Sequence, residues 1–184
     1  MISFLNNTSL SRGLRNNNPG NLVLTGIDWQ GKIPNAQNTD GTFEQFTSVN
    51  YGIRAMAMDL MNDFGEGTDT LRKLINEYAP AHENNTAAYI TYVADSLGIN
   101  PDAPLTINAD TLSMLLQAQI RMENGDAMAE LIPVTEIEDS IMLLPALILS
   151  QLGTFVKQHS NAFLWAIVAP IALYGGYRIY KAAA

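Results

Sequence analysis

The chain has 184 residues, no cysteine and a formal net charge of −8 at pH 7. This length suffices for one ordinary domain and an appendage, and the lack of cysteine excludes a disulfide framework and any thiolate metal site. The acidic balance argues against direct recognition of nucleic acid through a basic surface. His82 and His159 lie far apart without the spacing of metal ligands, so we expect neither a metal nor a cofactor.

Charge is unevenly distributed along the chain. Up to Asp139 there are 7 basic and 18 acidic residues, a net charge of −11, whereas residues 140–184 hold 3 basic residues and no acidic one. An apolar, mildly basic tail therefore follows an acidic body. The opening MISFLNNTSL lacks a basic start and a long apolar run, so we expect no cleavable signal peptide.

Residues 1–50 are rich in Asn, Gly and Thr, which predicts loops and one small hairpin. The stretch RNNNPGNL, residues 15–22, is unsuited to the interior of a helix or a central strand, because Asn and Gly favour turns and Pro lacks a backbone donor. It predicts a tight, amide-rich loop. GNLVL and GTFEQF are the short β-like pieces that we expect to form the hairpin.

Helical patterns begin at Tyr51. YGIRAMAMDLMNDF places its apolar residues along one stripe of a helix. TDTLRKLINEYAP predicts a second helix, with an N-cap at Thr68 or Asp69 and an end before Pro80.

Two more helices complete the acidic body. NNTAAYITYVADSLG ends at Gly98 as a C-cap, and NADTLSMLLQAQIRMENG runs from a cap at Asn108 or Asp110 to Gly125. Four helices behind a short hairpin predict an α+β, mainly α, domain, which we place at residues 1–130.

The tail is strongly apolar. We interpret residues 131–160, which include SIMLLPALILSQLGTFV, as an apolar linker or interfacial helix. An uncharged run of about 18 residues then has the length of a membrane-spanning helix, with aromatic residues near its ends and Arg178 and Lys181 closing it. We therefore predict a C-terminal transmembrane helix at 161–181; the alternative is a helix buried in the core of the domain.

Carboxylates are the catalytic groups that remain, since the sequence has no nucleophile elbow and no phosphate-binding loop. Acid-assisted cleavage of a glycosidic bond is a well-known use of them. Glu123, in IRMENG, ends an apolar helix, where apolar surroundings and the negative helix end both favour a protonated carboxyl; the alternative is a surface Glu beside a C-cap. Glu44, between two aromatic residues of the hairpin, is the second candidate, whereas Glu83 fits the start of a helix.

Several motifs, in order between Arg12 and Gly125, together resemble a family of phage virion-associated, lysozyme-like peptidoglycan hydrolases. They are RGLRNNNPGNL, W.G at Trp29, DGTFEQF, YGIRAM, YAP..ENNT..YI and I.MENG. The resemblance covers most of the acidic body and none of the tail. It implies a lysozyme-like fold and a glycosidase activity of the transglycosylase or glucosaminidase kind.

One departure from the family pattern concerns the catalytic acid. The family usually places its Glu in a Glu-Ser-Gly setting ahead of the Asn-rich turn, and no Glu precedes RNNNPGN here. Either the domain has lost its acid and serves as a structural or glycan-binding module, or a circular permutation has moved the acid-bearing helix to the other end. Because IRMENG is similar to the Glu-Ser-Gly setting, and the ends of compact domains commonly lie close together, Glu123 is our candidate acid.

The resemblance and the loop chemistry together define the expected function. Uncharged amides can bind the N-acetyl and hydroxyl groups of a sugar, although each can equally serve only to form the turn. We expect a virion protein, held in a viral or host lipid bilayer by its tail, that cleaves peptidoglycan locally as the genome enters the cell, together with other virion proteins. The alternative is a non-catalytic structural virion protein. The substrate-binding candidates are Asn16, Asn17, Asn18, Asn21, Trp29 and Tyr89.

Overall fold

The computed structural model describes residues 1–65, 67–81 and 85–152. Within them the regular secondary structure is helical, with one 3₁₀ turn at Asn35–Gln37, and most of residues 1–48 form loops and turns. The helices in chain order are α1 (Arg12–Arg15), α2 (Val49–Gly65), α3 (Leu71–Tyr78), α4 (Thr86–Leu97), α5 (Ala109–Asn124), α6 (Asp126–Ala129), α7 (Val134–Ile141) and α8 (Ala146–Gln151).

The four helices expected from the apolar stripes are confirmed as α2 to α5. Asn108 caps α5, since its side chain accepts a hydrogen bond from the Thr111 backbone N–H at 2.8 Å. Gly98 ends α4 in the left-handed conformation that glycine adopts without a steric penalty. The cap of α3 is Thr70 rather than Thr68 or Asp69, so the helix begins one or two residues later than the sequence suggested.

The main core lies between α2, α3, α4, α5 and α7. The stripe on α2 that contains Ile53, Met56, Ala57 and Leu60 is fully buried. Complete burial of one such large side chain stabilises a fold by about 1.5–3 kcal/mol relative to exposure, so these stripes dominate the stability of the helical body.

Helix α7 packs against α2 and extends the core beyond residue 130. The Asn50 side chain donates to Ser140 Oγ at 3.2 Å, and Arg54 Nε donates to the Leu143 carbonyl at 2.8 Å. Ile137 and Ile141 are buried in the same cluster as the helices of the acidic body. The domain boundary that we place at residue 130 stays a prediction.

The predicted α+β class, with a lysozyme-like arrangement of an N-terminal hairpin and helices, is wrong. GNLVL and GTFEQF do meet, but only through isolated antiparallel bridges such as Val23 with Phe43, and no strand forms in the described part of the chain. The physical reason is the Asn18 side chain, which donates to the carbonyls of Leu22 and Glu44 and accepts from the Leu22 N–H. An amide side chain therefore takes up backbone groups that a strand ladder would use.

The predicted transmembrane helix is not found among the described residues. None of the helices in the three described ranges has both the length and the apolar character needed to cross a bilayer. The segment 161–181, where we predicted the spanning helix, lies outside the described residues, as do Glu83 and the end of the predicted linker.

Candidate functional site at the end of helix α5

The amide-rich loop turns most of its side chains inward. Asn16, Asn17 and Asn18 are at most 2% exposed. Asn17 and Asn21 adopt left-handed backbone angles, φ +52° and +50°, which asparagine tolerates better than other residues with a Cβ. The RNNNPGN sequence therefore forms a tight loop, as predicted, with its polar groups directed into the protein.

Asn16 belongs to a polar network with Asp40. Its Nδ2 donates to Asp40 Oδ2 at 2.8 Å, and its Oδ1 accepts from Gln45 Nε2 at 2.9 Å. Arg12 forms a two-pronged ion pair with the same carboxylate, both distances 2.8 Å. Burial acts to raise the pKa of Asp40, but the hydrogen bonds from Arg12, Asn16 and the Phe43 N–H outweigh it and hold this pKa well below its usual value.

The Asn17 side chain also makes hydrogen bonds within the protein. Its Oδ1 accepts from the Phe4 N–H at 2.7 Å, and its Nδ2 donates to Ser3 Oγ and to the Phe46 carbonyl, both at 2.9 Å. Together with Asn18 it fastens the loop to the segments around residues 3–4 and 44–46. The prediction that these amides bind sugar stays untested, but all three make structural hydrogen bonds here.

The loop is joined to the last turn of α5. Asn124 donates from Nδ2 to the Pro19 carbonyl at 2.8 Å, and its Oδ1 accepts from Ser11 Oγ at 2.7 Å. One residue earlier, Glu123 Oε2 accepts from Asn21 Nδ2 at 2.9 Å. The structure thus brings together two of the predicted site residues, Asn21 and Glu123.

Glu123 is half-buried, and its charge acts on two buried tyrosines, Tyr78 and Tyr89. The rings of Tyr78 and Tyr89 meet edge to face with centroids 6.4 Å apart, and the Tyr78 hydroxyl donates to the Gly20 carbonyl at 2.6 Å. Burial and the nearby charge of Glu123 raise the pKa of both tyrosines well above the usual value. Both hydroxyls therefore keep their protons at neutral pH and lie within the electrostatic field of Glu123.

Asp59 is a further carboxyl with an altered pKa, which the sequence did not reveal. It lies on α2 and is half-buried, and burial, reinforced by the like charge of Asp63, raises the pKa of Asp59 to about 7. The charge of Asp59 also contributes to the raised pKa of Tyr78, as does the charge of Glu123. The only sign of this altered pKa in the sequence is the position of the carboxyl within the apolar run AMDLM.

Glu44, the second catalytic candidate, lies in a different place. Its side chain is fully buried, and its Oε1 accepts from Lys32 Nζ at 2.8 Å and from the Thr25 N–H and hydroxyl at 2.8 and 2.9 Å. Lys32 also donates to the carbonyls of Thr25 and Ile27. The pair thus closes the loop between residues 25 and 32, and the hydrogen bonds of the Glu44 carboxylate serve this loop rather than the end of α5.

Trp29 and Tyr89, the aromatic candidates, are both buried. Trp29 is 8% exposed and packs in a small cluster with Leu22, Phe46 and Ala55. Tyr89 is 3% exposed and belongs to the main core beside Glu123. Of these two, only Tyr89 shares the surroundings of the candidate acid, and sugar binding by either side chain stays a prediction.

Comparison with known proteins finds that the chain is similar to a phage protein. The chain is 38% identical to Protein P5 of Pseudoalteromonas phage PM2 over 119 residues, which are 62% of this chain and 72% of that protein. No known family model matches the chain.

Proposed function

We infer that this chain, which belongs to the family of Protein P5 of Pseudoalteromonas phage PM2, is a phage virion protein that cleaves the glycan strands of peptidoglycan. The relative supports the phage virion role. The cleavage is our proposal, and one observation carries it: the half-buried carboxyl of Glu123, at the end of α5, accepts a hydrogen bond from the Asn21 amide of the amide-rich loop.

These surroundings suit a sugar substrate. A glycan offers uncharged hydroxyl and acetamido groups, which form hydrogen bonds with amides and hydroxyls and bring no charge to the site. The sequence motifs that resemble phage peptidoglycan hydrolases supply Asn21, Tyr89 and Glu123, and all three lie at this end of α5.

In the proposed reaction, Glu123 acts as the general acid. It donates its proton to the glycosidic oxygen as the bond from that oxygen to C1 breaks, so the leaving chain departs as an alcohol. A hydroxyl then attacks C1 and returns its proton to the Glu123 carboxylate. Attack by water gives hydrolysis, and attack by the 6-hydroxyl of the same sugar gives an anhydro product.

The test is zymography on peptidoglycan with wild type and Glu123→Gln. We expect a zone of clearing for wild type and none for Glu123→Gln, with similar melting temperatures. The matched control is Glu130→Gln, an exposed acid beyond α6 that should keep full activity. An active Glu123→Gln variant would show that Glu123 is not the acid.

A second candidate function is a structural virion protein without catalysis. It is favoured by the internal use of Asn16, Asn17 and Asn18, whose side chains make structural hydrogen bonds rather than line an open cleft. An inactive wild type that is nevertheless incorporated into phage particles would support this function over cleavage.

A further inference from the structure

A second polar feature lies behind the candidate acid. Gln119, on α5, is 0% exposed, and neither its Oε1 nor its Nε2 has a hydrogen-bond partner among the described residues. The hydroxyl of Tyr89, 3% exposed, is likewise buried without a partner there. Buried polar groups in folded proteins are nearly always satisfied by protein or by ordered water, so these atoms call for an explanation.

Helix geometry places Gln119 next to Glu123. The two residues are four apart on α5, so their side chains lie on the same face, one turn from each other. Leu112 and Leu116, on the same stripe, are fully buried. Gln119 is therefore the polar residue that separates the apolar interior from the carboxyl above it.

Tyr89 reaches the same level from the neighbouring helix. It lies in the first turns of α4, which packs against α5, and its hydroxyl senses the charge of Glu123. The beginning of α4 thus lies beside the last turns of α5. The unpartnered hydroxyl and the unpartnered amide thus lie on the start of α4 and the last turns of α5, two helices that pack together.

We propose that Gln119 and Tyr89 hold an ordered water molecule behind Glu123, and that Gln119 is a positioning residue for this carboxyl. The amide supplies one donor group and one acceptor, and the hydroxyl supplies a donor, which meets the two to four partners that a buried water needs. The positioning role rests on the proposed function, whereas the water site does not.

The water site is tested by stability and by crystallography. Gln119→Leu and Tyr89→Phe each remove partners of the same water, so the effect of the double variant on the urea midpoint should differ from the sum of the two single effects. A crystal structure of wild type should show a water within hydrogen-bond distance of both side chains, and Gln119→Leu should lose it. Additive effects together with a dry site would overturn the proposal.

The positioning role is tested by the pH profile of peptidoglycan lysis. Gln119→Leu should lower the rate about tenfold or more and move the pH optimum, while Gln117→Leu, a half-buried residue on the opposite face of the same helix, should change neither. Gln119→Met serves in place of Gln119→Leu if the latter does not fold. An unchanged pH profile in a folded Gln119 variant would refute positioning. A wild type without lytic activity would refute the proposed function. The water site would still be tested by the urea midpoints of the single and double variants.

Discussion

A Cβ atom on Gly52 would lie 1.9 Å from the carbonyl oxygen of Asn17. Helix α2 thus approaches the amide-rich loop so closely that only glycine fits at this point, and the obstacle is backbone rather than a flexible side chain. Both the close approach of α2 and the hydrogen bonds from the end of α5 therefore fix the position of the loop.

We predict that Gly52→Ala destabilises the protein by about 1–3 kcal/mol or more, because the loop must shift to admit the methyl group. Urea unfolding followed by circular dichroism measures the loss. Gly26→Ala is the matched control, since a methyl group added there would have no atom within 4 Å and its stability should hardly change. Equal stabilities of the two variants would contradict the close approach.

The buried pair of Lys32 and Glu44 gives a second prediction. Glu44→Gln leaves the Lys32 ammonium, 7% exposed, without its counter-charge, and loss of one member of a buried pair costs about 3–5 kcal/mol. Replacing both residues together, Lys32→Met with Glu44→Leu, should cost less than the sum of the single changes. Thermal unfolding of the three variants measures this.

Measuring peptidoglycan lysis by Glu44→Gln beside its stability tests whether Glu44 is a catalytic residue. Any loss of lysis in Glu44→Gln should follow its loss of stability and be recovered at low temperature. If Glu44→Gln were as stable as wild type and still inactive, Glu44 would be a catalytic residue after all.

Asp59 gives a pH-dependent prediction. Its pKa, raised from an ordinary 3.8 to about 7 by burial and by Asp63, means that the folded state binds the proton more tightly than the unfolded chain does. Its contribution to stability is therefore most favourable below about pH 4, falls as the pH rises towards 7, and is constant above that.

Asp59→Asn should consequently stabilise the protein at pH 8 and leave it nearly unchanged at pH 4. The upper bound is about 4 kcal/mol, since a tenfold change in proton affinity is worth about 1.4 kcal/mol, and we expect about 1–2 kcal/mol because water reaches a half-buried carboxyl. Melting temperatures across this pH range measure the effect. Asp95→Asn, an exposed acid on α4, should not reproduce it.

Asn21 gives a fourth prediction, because its backbone and its side chain have separable effects. Asn21→Ala and Asn21→Gly both lose the hydrogen bond to Glu123. Because the φ of +50° disfavours residues with a Cβ, Asn21→Ala should be less stable than Asn21→Gly by about 0.5–1 kcal/mol. Asn21→Asp, which keeps the size but sets a carboxylate against Glu123, should be destabilised at pH 8 and recover at low pH. Denaturant titrations at both pH values distinguish these effects.

The helices could be predicted from the sequence because their information is local. The apolar stripe of α2 and the Asn108 cap of α5 each follow from neighbouring residues, and both are present. The failure of the expected hairpin could not be predicted, because the Asn18 side chain, which takes up some of its backbone groups, lies outside the two paired segments.

The site was only partly predictable, because some of its features depend on how distant segments of the chain pack together. The motif resemblance indicated Glu123 and Asn21, which the structure joins. Asp59 and Gln119 look like ordinary polar residues of amphipathic helices in the sequence. Their unusual surroundings arise only when α2, α4 and α5 pack together, and no local pattern records which helices meet.

The hydrogen bonds between the amide-rich loop and the end of α5 also bear on how the protein is made. Asn124 and Pro19 are 105 residues apart, and Ser11 and Asn124 are 113 apart, so each contact closes a long stretch of chain at a cost in conformational entropy. A chain emerging from the ribosome presents the loop first and α5 much later. While translation is in progress, the loop therefore lacks its partner helix, and the candidate acid meets Asn21 only once residue 124 has been released. Assembly of the site is thus a late event in the biosynthesis of the protein.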